Sequence, residues 1–191
     1  MKPHTAFLTC LLIAVLPDVA DGGSQEALEP ELRETLRKAI EDADSFEDRF
    51  HAEVWLTDMS NRLARRMPDT DERLELLQLV HREATRAELP PELVLAVIEI
   101  ESGFDRFAIS IAGAQGLMQI MPFWLNEIGH PDDNLFHPRT NLRMGCTILK
   151  YYLDREKGDL GKALARYNGS AGKRKYPDKV LMALSQRWFR Q

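Results

Sequence analysis

Two prolines and the run behind them set the terms for the whole chain. Leu89-Pro90-Pro91 is its sharpest punctuation, and Pro91 suits the first turn of a helix, where a missing N–H costs nothing. The helix that follows carries Leu93, Val94, Ala96, Val97, Ile98 and Ile100. Apolar residues on nearly every side leave such a helix one place to be, the centre of a core. It ends in Glu101-Ser102-Gly103, so the element that must be buried delivers a carboxylate to its own terminus. A carboxyl group against apolar surroundings can stay protonated near neutral pH, because burial penalises the charged form.

The spacing elsewhere is also helical, and no stretch alternates like a strand for long. Leu32, Leu36, Ala39 and Ile40 repeat at helical intervals after Pro30. Ser45 and Asp48 resemble a capping box with Asp in place of Glu, opening a segment with Phe46, Phe50, Trp55, Met59 and Leu63 that Pro68 closes. A helix from Thr70 carries Leu74, Leu77, Val80 and Ala84 on one face. Past Gly103, a loop of small residues leads to Gly116, where a second helix is expected to begin, carrying Met118, Gln119 and Met121. Asn134 to Arg139 reads as a turn. Leu142, Cys146, Leu149, Tyr152 and Leu153 mark an amphipathic helix stopped by Gly158, and Leu160 to Tyr167 a short one ending at Asn168-Gly169. Tyr176-Pro177 leads into a last helix with Val180, Leu181, Leu184 and Trp188. The chain is therefore expected to be all-α, with residues 24–69 an N-terminal helical extension packed on a domain of residues 70–191.

Composition narrows the class. At 44% hydrophobic and 29% charged residues, the chain can build a core and is not a disordered segment. The net charge is -5 and the one dense basic cluster is Lys173-Arg174-Lys175. That cluster reads as a solvated loop, so no nucleic-acid partner is expected. At the N-terminus, Lys2 and His4 precede the apolar run Ala6 to Leu16, with small residues at Ala20, Gly22 and Gly23. This is the pattern of a secretory signal over residues 1–23, cleaved between Ala20 and Ser24, and it implies export to the periplasm or cell envelope. Cys10 would leave with it. Cys146, beside Leu142 and Leu149 on an apolar face, reads as an inert buried thiol. His51, His81, His130 and His137 are scattered and no His-Glu-x-x-His occurs, so neither a metal nor another cofactor is expected.

Glu101 must be weighed against its neighbours. Glu99 lies two positions earlier and points to nearly the opposite side of a helix, so the two make no close carboxylate pair. From spacing alone, a single Glu at a helix end is usually solvated. Gly113 and Gly116 can simply shape a turn, and methionines three apart are more often core than ligand contacts. A buried Gln119 is less easily dismissed, since it must find hydrogen-bond partners.

Taken together, however, these residues carry a resemblance. Glu101-Ser102-Gly103-Phe104, Ala108, Ser110 and the run Gly113-Ala114-Gln115-Gly116-Leu117-Met118-Gln119-Ile120-Met121-Pro122 are similar to the core motif of the soluble lytic transglycosylases. Asn141-Leu142-Arg143-Met144-Gly145, followed by Tyr151 and Tyr152, resembles that family's third motif, and Ala165-Arg166-Tyr167-Asn168 its fourth. The four ordered motifs span roughly residues 85–170 and are specific in combination. Departures are local. Asp105-Arg106 stands where Asn-Pro is common, and Gly169-Ser170-Ala171 where Ala-Gly-Pro is usual.

The resemblance implies a helical, goose-type lysozyme-like fold and cleavage of peptidoglycan glycan strands. Glu101 would serve as acid then base, and Ser110, Gln119, Met121, Tyr167 and Asn168 would line the sugar cleft. It implies a non-hydrolytic break between N-acetylmuramic acid and N-acetylglucosamine that leaves a 1,6-anhydro end. Two other readings stay open at this point. One is a goose-type lysozyme that adds water, for which Asp105, Asp132 and Asp133 are the nearby candidates for a second carboxylate. The other is a non-catalytic glycan-binding module of an envelope machine, with the N-terminal helices as a docking surface for a partner.

Overall fold

The structure, a computed structural model, describes residues 45–130 and 132–189. The expected signal sequence and the helix expected around Leu32 to Ile40 lie outside the described residues. Those described form helices α1 (Arg49–Leu63), α2 (Thr70–Arg86), α3 (Pro91–Glu101), α4 (Phe123–Ile128), α5 (Pro138–Arg155), α6 (Leu160–Tyr167) and α7 (Lys175–Ala183), then a π-helical turn (Leu184–Trp188). No helix among the described residues is long and apolar enough to cross a membrane.

α3 is central, as its apolar run requires. Leu93, Val94, Leu95, Ala96, Val97 and Ile98 are all buried in succession. α2 packs on one side of it, α7 and the π-helical turn on another, while α5 joins α2 to α6. The core draws Leu74, Leu77, Val80 and Ala84 from α2, Leu142, Cys146 and Leu149 from α5, and Val180 and Ala183 from α7. α1 adds Trp55, Leu56, Met59 and Leu63 to the same core. Burying a side chain of this size is worth about 1.5–3 kcal/mol, so this part of the N-terminal extension holds the fold together.

Several boundaries differ from the sequence reading, each for a local reason. The cap of α1 is Asp48 alone, whose carboxylate accepts from the His51 N–H at 2.7 Å. Ser45 instead reaches the ring of His81, 2.8 Å away, which stacks on Phe46 with ring centroids 3.5 Å apart. Phe50, one of the apolar residues of this segment, is 75% exposed. The last helix starts at Lys175 and takes in Tyr176 and Pro177, both buried, before loosening into the π-helical turn.

The largest correction concerns Gly116 to Met121, which is not helical. Gln115 pairs with Ile120 through two backbone hydrogen bonds of 2.9 Å, and Ile109 bridges to Gln115. Gly116 and Gln119 take φ angles of 76° and 50°, which a right-handed helix cannot contain. The next helix begins only at Phe123.

Candidate active site

Glu101 occupies the last residue of α3. The Ser102 and Gly103 N–H groups both donate to the Ile98 carbonyl, closing the helix, and Gly103 sits at φ 61° where a side chain would be strained. Ser102 Oγ reaches across to the Leu117 carbonyl at 2.8 Å and accepts from the Phe104 N–H at 3.2 Å. The helix end is thereby stitched to the loop that faces it.

The Glu101 carboxyl is half-buried and forms no ion pair among the described residues. Tyr176 donates its hydroxyl to Oε1 at 2.6 Å. Burial raises the Glu101 pKa from 4.5 to about 7, and the hydrogen bonds from Tyr176 and Asn168 oppose the rise without cancelling it. Glu99, two residues earlier, meets a different fate. It accepts from Arg66 at 2.6 Å, Arg187 at 2.9 Å and the Trp188 indole at 2.7 Å. One carboxylate on this helix end is fully partnered by cations, while its neighbour is kept from them and can hold a proton near pH 7.

The loop opposite is built around Met118. Its N–H donates to Asn141 Oδ1 at 2.7 Å, its carbonyl accepts from the Tyr167 hydroxyl at 2.7 Å, and its side chain lies where a Cβ on Gly145 would come within 2.4 Å of Sδ. Asn141, 1% exposed, also donates to the carbonyls of Gln115 (2.8 Å) and Leu135 (2.9 Å). Gly116 packs so tightly here that a Cβ would fall 2.4 Å from both Asn141 Nδ2 and the Leu135 carbonyl oxygen. A buried amide with three satisfied bonds fixes an irregular loop more firmly than apolar packing alone, because each bond would be costly to leave unmade.

The residues expected to line the cleft sit as follows. Gln119 Nε2 donates to the carbonyls of Ala108 (3.1 Å) and Gly116 (2.9 Å), which answers the demand of a partly buried amide. Ser110 Oγ accepts from the Ala114 N–H at 3.0 Å. Met121 is half-buried, and Asn168 is exposed at the C-cap of α6 with its side chain bonded to Glu101. Tyr167 turns its hydroxyl to Met118, so the loop and not Glu101 receives it. Sequence reading missed Tyr176, which lies 75 residues beyond Glu101 and reads only as part of the lead into the last helix. Among the candidates for a second carboxylate, Asp105 accepts from the Phe107 N–H and Asp133 from the His130 N–H, both at 2.8 Å. Among the described residues, no three His, Cys, Asp or Glu side chains gather as metal ligands. Cys146 is buried and its thiol is pushed up to about 12, chiefly by that burial.

Residues 78–183, more than half of the chain, match the family model described as the Transglycosylase SLT domain. The transglycosylase of Enterobacteria phage PRD1 is 35% identical over 100 residues, covering 49% of this chain and 37% of its own. Membrane-bound lytic murein transglycosylase C of Actinobacillus pleuropneumoniae is 32% identical over 114 residues, covering 51% of this chain and 31% of its own. The chain thus spans about a third of the length of the curated relatives it matches. Among solved structures, an inactive mutant of lytic transglycosylase Slt from Pseudomonas aeruginosa aligns with a TM-score of 0.46 at 22% identity, over 73% of this chain and 30% of that one. The match across α3, the Met118 loop, α5, α6 and α7 places this chain in the transglycosylase SLT domain family.

Proposed function

We propose that this chain is a peptidoglycan lytic transglycosylase, exported to the cell envelope, with Glu101 as its acid and base. The observation that carries the reading is the state of Glu101: half-buried, without a cation among the described residues, and poised to keep its proton until about pH 7. A general acid needs a pKa near the working pH, and burial is the usual means of giving a carboxyl one. The names of the relatives above, transglycosylase and lytic murein transglycosylase, support the substrate.

In this account a glycan strand lies across the end of α3, against Ser110, Gln119, Met121, Tyr167 and Asn168. Glu101 gives its proton to the glycosidic oxygen between N-acetylmuramic acid and N-acetylglucosamine, the C1–O bond breaks, and positive charge develops on C1 and the ring oxygen. The carboxylate so formed accepts a hydrogen bond from Tyr176, which stabilises the charge it has just acquired. It then removes the proton from the C6 hydroxyl of the same muramic residue as that oxygen closes on C1. Glu101 is again protonated, the product is a 1,6-anhydro end, and no water is consumed. One carboxyl suffices for both steps. The hydrolytic alternative has less support, since Asp105 and Asp133 each bind their own loop and Asp132 is exposed.

The test is release of soluble fragments from purified peptidoglycan by the full chain, beside Glu101→Gln. The variant keeps an acceptor for Tyr176 and loses the proton. Cleavage is expected from the wild type alone, with glycan still bound by the variant; equal cleavage by both would refute the role of Glu101.

A further inference from the structure

The family match leaves out two flanking segments that come together on a residue inside it. It runs from residue 78 to residue 183, whereas Arg62 and Arg66 precede it and Arg187 and Trp188 follow it. These flanking segments meet at Glu99, inside the matched range and two residues before Glu101. Arg66 approaches Glu99 from the turn after α1, Arg187 and Trp188 from the π-helical turn. The Glu99 side chain is only 6% exposed.

A second layer ties the flanks to each other. Arg62 of α1, held by a bidentate pair with Asp58 at 2.8 Å, donates to the carbonyls of Arg187 (2.9 Å) and Phe189 (3.1 Å). The Trp188 ring, fully buried, also packs on Phe104 with centroids 5.6 Å apart. Phe104 follows the Gly103 turn and is itself held at φ 75°, a conformation that surroundings must enforce on a non-glycine residue. Trp188 therefore grips α3 at Glu99 and the outgoing chain at Phe104, with Glu101 between the two holds.

From this arrangement we infer that the flanking segments are a clamp that positions Glu101, with Glu99 and Trp188 as positioning residues. A helix end is where hydrogen bonds fray first, and the Glu99 carboxylate in the last turn faces the negative pole of the helix dipole. Arg66 and Arg187 relieve that repulsion at Glu99, on the face of α3 away from Glu101. Because Glu99 absorbs both guanidinium groups, they do not draw the proton from Glu101. The polar groups that face Glu101 are Tyr176 of α7 and Tyr167 and Asn168 of α6, with the Cys146 thiol of α5 behind Tyr167. The inference rests on Glu101 being the acid, and it gives a function to the segments outside the family match.

The test uses the full chain and Trp188→Phe, which removes the indole N–H without changing charge and keeps a ring against Phe104. The measurements are kcat and KM on soluble glycan strands, the Glu101 midpoint by carbon NMR of the carboxyl, and thermal melting. A clamp predicts a fall in kcat of about tenfold, as a small misplacement of a catalytic group produces, with KM changed less than about twofold. It also predicts a Glu101 midpoint lowered from about 7 as water gains access. Unchanged kcat and midpoint in a protein that melts earlier would overturn the inference and leave the flanks as ballast. Should Trp188→Phe not fold, Arg62→Gln, which frees the Arg187 and Phe189 carbonyls together with the partly exposed Asp58 carboxylate, is judged by the same criteria. The carboxyl titration needs no turnover, so an inactive wild type would refute the proposed function while the clamp was still read.

Discussion

Holding Glu101 neutral has a cost that can be measured without any substrate. Its pKa rises from 4.5 in an exposed carboxyl to about 7 in the folded chain. Below pH 4.5 the carboxyl is protonated whether the chain is folded or not, and the contribution to stability is fully present. Between 4.5 and 7 the unfolded chain releases the proton while the folded chain keeps it, and the contribution is lost as pH rises through the folded value. At about 1.4 kcal/mol per pH unit, the loss comes to about 3 kcal/mol. Glu101→Gln does not titrate, and its side-chain oxygen can still accept from Tyr176. The variant should match the wild type near about pH 4 and exceed it by about 3 kcal/mol near about pH 8, about 6–12 °C in Tm for a chain of this size. Denaturant or thermal unfolding of both proteins across that range is the assay. Stability differences that stay constant from acid to alkaline pH would show that the carboxyl is not held neutral, and would remove the physical basis for its role as an acid.

Other consequences follow from the same geometry. Tyr176→Phe removes a bond that favours the charged carboxylate, so the alkaline limb of the pH–rate profile should move above about pH 7, while kcat falls; a limb that moves down would contradict the assignment. Asn141→Ala strands the Met118 N–H and the Leu135 carbonyl, while the Gln115 carbonyl keeps the Ile120 N–H. At about 1–3 kcal/mol for each buried group left unpaired, unfolding should show a loss of at least about 2 kcal/mol. Gly116→Ala drives a Cβ into the Leu135 carbonyl at a backbone angle that disfavours any side chain. It should cost at least about 1–3 kcal/mol, read by unfolding, and more than Ala substituted at the open Gly113.

The fold was legible where burial leaves a pattern. An apolar run on every side of α3 can only be central, and its stop at Gly103 follows from the Glu101-Ser102-Gly103 sequence. The separation of Glu99 from Glu101 also follows from helical spacing, and the structure gives Glu99 its own cations on the far side. The Met118 loop was misread as a helix because Leu117, Met118, Ile120 and Met121 have helix-compatible spacing. What forbids a helix there is the left-handed backbone at Gly116 and Gln119, the latter held by side-chain bonds to the Ala108 and Gly116 carbonyls. Tyr176 and Trp188 were beyond sequence reasoning for the same reason. Each looks like core from its own helix, and only packing against α3 brings a hydroxyl to Glu101 and an indole to Glu99.

The mass of the products tests the single-carboxyl mechanism most directly. Purified peptidoglycan strands should be digested with the full wild-type chain and with Glu101→Gln, and the released muropeptides weighed. Fragments one water lighter than hydrolysed ones, with no reducing muramic end and made only by the wild type, are the predicted result. Reducing ends carrying an added water would contradict the single-carboxyl mechanism and require a group that activates water.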